Sequence, residues 1–295
     1  MVIANKVVSF IGCGILGTSM VNGLLAGQHP PANIIATGRN LDKLSSLKSQ
    51  GVRVITNNLT AIAEADLVVL CVRPSQIAAV LEDVAAAINA KNPIVISVVA
   101  GLSIQDMAQK INCTLIRSMP NIAGSLGQGV TLFQVADNLY KKDETDESLD
   151  TDNTPDKIIE IAEEIFSPLG LVVQVATATA MDSWTAVSGC GPAYFFYLVK
   201  MLCDYGAARG LPRDQVQQAA VQTIKGAAAL LESSPLSPEE LINSVAVPGE
   251  KTATRQALDY MQSKGIEDIV QQGAAQAEAR AAEMGQEIGK QINNT

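Results

Sequence analysis

Short, unbroken apolar runs punctuate the first half of the chain, each followed by a stretch of mixed polar and apolar residues. Val7–Ile11 (VVSFI), Asn33–Thr37 (NIIAT), Arg53–Thr56, Leu67–Val72 (LVVLCV), Pro93–Ala100 (PIVISVVA), Thr114–Ser118 (TLIRS) and Gly129–Val135 (GVTLFQV) read as strands. The continuous apolar ones suit strands covered on both faces. Thr18–Ala26, Leu41–Gln50 and Ser75–Asn89 read as the helices between them. Strands alternating with helices predict a mainly parallel sheet with right-handed crossovers, and ligands gathered at the carboxyl ends of its strands. The alternation breaks at Asp137–Asp156 (DNLYKKDETDESLDTDNTPD), which has almost no core-forming residues and reads as a solvated acidic surface insertion. A helix at Lys157–Phe166 and a strand near Leu171–Val175 close this half.

Beyond residue 178 the period changes. Ala193–Tyr205, Arg213–Glu232, Ser237–Ser244, Thr254–Ser263 and Gly265–Asn294 all read as helix, with small apolar residues recurring along them. Small faces let helices approach closely. The last of these helices is Ala-rich and short of bulky core, which suits packing against a second copy of the chain. The expected architecture is an α/β dinucleotide-binding domain over residues 1–178, with the acidic insertion near 137–156, followed by an all-α domain over 179–295.

Composition narrows the partners. The chain has 295 residues and a formal net charge of −9, so nucleic acid and anionic membrane are not expected as partners. No apolar stretch reads as long enough to span a bilayer and no signal peptide is visible, which predicts a cytoplasmic protein. The five cysteines stand alone, in neither a CxxC nor a zinc spacing. No metal site is expected. The single histidine, His29, lies in GQHPPAN and reads as a surface-loop residue. One loop histidine removes His-dependent triads and most zinc hydrolase schemes.

The chemistry starts at the first turn. The strand Val7–Ile11 runs into Gly12-Cys13-Gly14-Ile15-Leu16-Gly17, a G-x-G-x-x-G spacing between strand and helix. The first glycine permits the turn, the second admits a pyrophosphate, and the third lets helix pack on strand. The helix N-terminus then presents free N–H groups and a partial positive charge. An acidic residue at the end of the second strand would bind a ribose hydroxyl and repel a 2′-phosphate. Here Thr37-Gly38-Arg39-Asn40 carries no acid. Arg39 can pair with a phosphate while Asn40 and Thr37 can donate hydrogen bonds, so NADPH is favoured and NADH is possible. Val72-Arg73-Pro74, after the fourth strand, should cross the nicotinamide ribose; Arg73 either lies along the cofactor or simply starts a helix. Asn58, Ala100 and Asn121 are placed on the cofactor side as well.

Three further segments carry a resemblance: Arg117-Ser118-Met119-Pro120-Asn121, Ala186-Val187-Ser188-Gly189-Cys190-Gly191-Pro192-Ala193-Tyr194, and Val245–Thr254 (VAVPGEKTAT). Together with the glycine turn and Val72-Arg73-Pro74, they resemble the Δ1-pyrroline-5-carboxylate reductases over nearly the whole length. Asp182, Thr185 and Ala186 through Tyr194 follow the family's D-x-x-T-A-x-S-G-x-G-P-A-Y helix start. The resemblance implies reduction of the cyclic imine L-1-pyrroline-5-carboxylate to L-proline, the last step of proline biosynthesis. It also implies a dinucleotide-binding domain joined to helices that make a homodimer, which can assemble further.

The substrate side then falls to Ser188, Gly189, Cys190, Gly191 and Pro192, which read as a helix start flooring the pocket. A second loop, Val247, Pro248, Gly249 and Glu250, stands where the family holds the substrate carboxylate. That loop departs from the family's S-P-G-G-T-T: Val247 replaces a Ser and Glu250 the second Gly. Aligned without a gap, the threonine that contacts the imine nitrogen is Thr252; aligned on the following helix it is Thr254. Other readings are a reductase of another cyclic imine or of a hydroxyacid, or a dinucleotide-binding regulatory relative that has lost turnover.

Overall fold

The computed structural model describes residues 2–136 and 154–294, so the acidic insertion up to residue 153 lies outside the described residues. Eight strands form one sheet: β1 (Val8–Ile11), β2 (Ile34–Thr37), β3 (Arg53–Ile55), β4 (Leu67–Leu70), β5 (Ile94–Ser97), β6 (Leu115–Pro120), β7 (Gly129–Val135) and β8 (Gly170–Gln174). Their order is β3-β2-β1-β4-β5-β6-β7-β8. All neighbours are parallel except β6 and β7, which pair antiparallel. The order reverses at β1, between β2 and β4, and that switch point leaves a crevice outside the carboxyl ends of the strands.

The helices are α1 (Ile15–Ala26), α2 (Ser45–Ser49), α3 (Asn58–Glu64), α4 (Ile77–Lys91), α5 (Ile104–Ala108), α6 (Pro155–Phe166), α7 (Ala178–Trp184), α8 (Gly191–Ala207), α9 (Arg213–Ser233), α10 (Pro238–Val245), α11 (Ala253–Ser263) and α12 (Ile266–Asn293). The sequence reading missed α3, α5 and α7, each of which is only five to seven residues long. Helices this short show little periodicity and form because tertiary packing holds them. Side-chain caps mark each start instead: Asn57, Ser103 and Thr177 accept from the N–H of Thr60, Asp106 and Ala180.

Alternation along the strands sorts the core into two layers. Phe10, Val69, Ile96 and Ile116 meet Met20 and Val21 of α1 and Ile161 and Phe166 of α6 on one face. Ile11, Val68, Leu70 and Val95 meet Ile62 of α3 and Leu81, Val84 and Ile88 of α4 on the other, together with Ile288 and Ile292 near the end of α12. Burial on both faces explains why β1, β4 and β5 are nearly unbroken apolar runs.

The chain separates into two compact units, Met1–Cys190 with Ala277–Thr295, and Gly191–Gln276. These limits differ from the change of period at residue 178, because a period marks where strands give out whereas contacts mark what packs with what. In the second unit α8 and α9 expose Phe195, Phe196, Tyr197, Met201, Val221 and Leu230. Residues 178–207 form one continuous helix, long and apolar enough to cross a membrane by length and composition. This corrects the expectation that no such stretch exists. The run was hidden because Asp182 and the glycines at 189 and 191 interrupt it in sequence, whereas helical turns continue on both sides of Cys190.

Candidate active site

The turn between β1 and α1 is built from the inside. Gly12 has φ +77°, the left-handed region, and a Cβ there would lie 2.2 Å from Val72 Cγ1. Its N–H donates to Thr37 Oγ1 at 3.0 Å, and the Cys13 N–H donates to the Thr37 carbonyl at 2.7 Å. The Thr37 hydroxyl donates in turn to Asn58 Oδ1 at 2.7 Å. Thr37 is thus a buried strut of the glycine turn, and its proton is spent on Asn58. This corrects the expectation that it donates to a bound phosphate. Gly17 lies where a Cβ would come within 3.0 Å of both Cys13 Sγ and Cys71 Sγ, so the third glycine lets α1 lie on β1 and β4. Burial pushes the Cys13 thiol up to about 11 and Cys71 well above its ordinary value, so both stay protonated and serve as packing.

Gly14, by contrast, has nothing within 4 Å of where its Cβ would stand. It caps α1 without a side-chain hydrogen bond, no acidic residue sits in the first turn, and Ile15 is 88% exposed. Leu16 packs on the core beneath. The N-terminus of α1 therefore opens outward with uncapped N–H groups, a cradle that fits a dinucleotide pyrophosphate. Arg39 and Asn40 are exposed beyond β2, and Asn40 Oδ1 accepts from the Asp42 N–H at 2.9 Å. Among the described residues Arg39 has no ion-pair partner, so its fork is free for a phosphate.

After β4, Val72 is half-buried against Gly12, and Arg73 is exposed ahead of the short 3-10 turn Pro74–Gln76, its Nε 3.4 Å from Gln76 Oε1. Ala100 is half-buried beyond β5. The structure brings Gly12, Thr37, Asn58 and Val72 into direct contact.

Asn121 is 9% exposed and its side chain serves the protein. Oδ1 accepts from the N–H of Ala123 (3.1 Å) and of Val130 (3.3 Å), and Nδ2 donates to the Ser188 carbonyl at 3.0 Å. This last bond has a sequence cause. A helical carbonyl pairs with the N–H four residues on; for Ser188 that residue is Pro192, which has no N–H. Asn121 supplies the missing donor. The helix start expected at Ser188–Pro192 is there at its end, since α8 begins at Gly191 with Pro192 in its first turn, but Ser188 and Gly189 belong to a different element. Thr185–Gly189 is a π-helical turn joining α7 to α8, and the Cys190 N–H donates to the Thr185 carbonyl at 2.9 Å. Such turns put an extra residue into a helix and gather at functional sites. Ser188 is buried, with Oγ donating to the Trp184 carbonyl, Gly191 is buried, and Gly189, Cys190 and Pro192 are half-buried.

In the second unit, Val247, Pro248, Gly249 and Glu250 form a turn closed by the Glu250 N–H on the Val247 carbonyl at 3.2 Å. Pro248 second and Gly249 third, with φ +83°, match a type II turn, which needs one glycine rather than two. Glu250 is exposed. Thr252 caps α11, its Oγ1 accepting from the Arg255 N–H at 3.1 Å, whereas Thr254 is exposed in the first turn.

His29 is not a surface residue. It is 3% exposed, its N–H donates to the Leu24 carbonyl beyond the C-terminal end of α1, and burial lowers its pKa. The twelve residues of α1 place it ~18 Å along the helix from the glycine turn.

Comparison with known proteins matches two family models: "NADP oxidoreductase coenzyme F420-dependent" over residues 7–101 and "Pyrroline-5-carboxylate reductase dimerisation" over residues 178–284. The pyrroline-5-carboxylate reductase of Pseudomonas aeruginosa is 30% identical across 96% of this chain and 98% of that protein. The chain belongs to the pyrroline-5-carboxylate reductase family. A solved family structure from Coxiella burnetii superposes with a TM-score of 0.81 at 29% identity, covering 95% of this chain and 98% of that one. A Plasmodium falciparum pyrroline carboxylate reductase structure with NADP bound shares the fold, with a TM-score of 0.78 at 21% identity over 96% and 99% of the two chains. The apolar surface of α8 and α9 lies within the segment matched by the dimerisation model of this family, which explains its exposure in a single chain.

Proposed function

We infer that the chain is an NADP(H)-dependent pyrroline-5-carboxylate reductase, reducing L-1-pyrroline-5-carboxylate to L-proline. The observation that carries the reading is the open, acid-free glycine turn at the sheet's switch point, in a chain matched end to end by reductases of this name. Bound NADPH supplies the hydride. Gly12, Gly14 and the first turn of α1 hold its pyrophosphate, with Ile15, Leu16 and Gly17 shaping the wall. Arg39, with the amide of Asn40, holds a 2′-phosphate. Val72, Arg73, Pro74 and Ala100 line the nicotinamide end. Asn58 and Asn121 act one step back, fixing Thr37 and the Ser188 carbonyl.

A protonated cyclic imine accepts hydride readily and brings its own proton, so the protein needs to orient it rather than acidify it. A histidine buried away from the glycine turn is consistent with that. The π-turn at Ser188–Gly189 with Cys190, Gly191 and Pro192 floors the substrate pocket. The turn Val247–Glu250 and the start of α11 take the carboxylate, as helix N-termini do for anions. Aligned on the following helix, Thr254, exposed in the first turn of α11, is the hydroxyl for the imine nitrogen, with Thr252 at the helix cap beside it. The working unit is a homodimer formed through the C-terminal helices, able to assemble further, in the cytoplasm.

The test is to mix purified protein with NADPH and L-1-pyrroline-5-carboxylate and follow the nicotinamide absorbance. Its decay, with proline formed in equal amount, supports the reading. Tight NADPH binding without turnover, or turnover only of another imine or a hydroxyacid, overturns it. Thr254→Ala is expected to slow turnover at least ~100-fold with little change in NADPH affinity; equal effects on both would remove the role.

A further inference from the structure

A second site lies within the first unit, where the end of α12 returns to the sheet. The match to the dimerisation model stops at residue 284, but α12 continues to Asn293 and buries Ile288 and Ile292 in the layer beneath β5 and β6. Glycines make that contact possible. A Cβ on Gly101 would stand 2.9 Å from Ile288 Cδ1, and one on Gly289 would stand 2.6 Å from Asp106 Oδ1. The docked helix borders a solvent-open cavity of about 480 Å³ against the loop after β5, β6 and the start of α7, within the size range of small-molecule sites.

Four ionisable side chains face this cavity: Arg117, Lys290, Asp106 and Asp182. Arg117 is 7% exposed. Of the five N–H groups on a guanidinium, one has an acceptor among the described residues, Asp182 Oδ1 at 3.3 Å from Nη2. A buried guanidinium with the rest of its fork unspent is costly unless an acceptor meets it. Two cations and two carboxylates sum to zero, so a lone anion would leave the cavity negative and a lone cation would leave it positive. A ligand bearing both charges satisfies Arg117 and Lys290 with its carboxylate and Asp106 and Asp182 with its ammonium.

We propose that this cavity binds a free α-amino acid as its zwitterion and acts as an effector site distinct from the glycine-turn site. The connection to the first site is short. Gly101 follows Ala100 directly, and Arg117 sits on β6, four residues before the Asn121 that holds the Ser188 carbonyl. Filling the cavity ties α12 to both, and the ligand alters the reduction rate through them.

The experiment is calorimetric titration of the full-length protein with each proteinogenic L-amino acid other than proline, alongside acetate and ethylammonium as single-charge probes. Because binding is read directly, failure of the reductase reading would not affect the result. At least one amino acid is expected to bind roughly tenfold or more tighter than either probe. Lys290→Ala, which removes an exposed cation, and Ala282→Leu, which fills the cavity without changing charge, are expected to weaken that binding roughly tenfold at unchanged melting temperature. In the reductase assay the same amino acid should shift the rate of the natural protein and not of Ala282→Leu. No binding up to ~10 mM, a range that covers weak millimolar complexes, would overturn the proposal. So would probes that bind as tightly as the amino acid, or variants that bind it like the natural protein.

Discussion

Single side chains here do work that their types alone do not announce. Thr37 reads as a donor for a phosphate, yet its hydroxyl joins Gly12 to Asn58, because a buried hydroxyl must find partners inside the protein. Arg39 is exposed and has no ion-pair partner among the described residues. Arg39→Ala should raise the Kd for NADPH by roughly tenfold or more while leaving NADH nearly unchanged, measured by fluorescence titration of the two coenzymes; equal losses would contradict a 2′-phosphate contact. His29 is the sharpest reversal. Prolines and a glycine around it suggested an exposed turn, but His29 packs under the end of α1. Its pKa is lowered from 6.5 chiefly by burial, so the unfolded chain takes up a proton before the folded one does. Stability from this group is therefore fully present above about pH 6.5 and is lost as pH falls from there toward the lowered folded value. Urea unfolding at pH 7.5 and pH 5 should show a loss on acidification that shrinks in His29→Leu.

At the scale of elements, the strands and long helices were legible because a two-sided sheet forces continuous apolar runs and helix packing forces small residues at turn spacing. The short helices and the π-turn were not. Thr185–Gly189 looks like a loop or a helix start, since glycines and a proline usually break helices. It stays helical because Asn121, sixty-seven residues earlier than Ser188, fills the carbonyl that Pro192 leaves open. Asn121→Asp keeps the acceptor for Ala123 and Val130 but loses the donor to Ser188. We expect it to lower unfolding free energy by ~1–3 kcal/mol, the cost of an unmet buried carbonyl beside a new charge, and to reduce kcat more than NADPH affinity. An unchanged midpoint in urea would show that water replaces the amide at no cost.

Across the whole molecule, the second unit leaves large apolar side chains in water, Phe196 at 65% and Tyr197 at 61% exposure among them. Exposed apolar area of this kind marks an interface, and it lies within the segment matched by the family's dimerisation model. On the proposed homodimer, Phe196→Asp should weaken self-association in sedimentation velocity and reduce reductase activity in proportion, because a charge buried in an apolar interface costs several kcal/mol. A variant that stays dimeric would place the interface elsewhere. The helix through residues 178–207 passes a membrane criterion for the same reason: a face made to meet another protein has the composition of one made to meet lipid.

The sequence by itself determined the strand–turn–helix at Gly12–Gly17, a mainly parallel sheet, the helical second half and the family, because these depend on local periodicity and on motifs whose spacing is written in neighbouring residues. Tertiary structure decided what those residues are for. It turned Thr37 and Asn121 inward, buried His29, made a π-turn of Thr185–Gly189, and folded the end of α12 over Arg117. Each of these outcomes is a hydrogen bond or a contact between residues far apart in the chain, and a buried polar group takes the partner that folding brings to it.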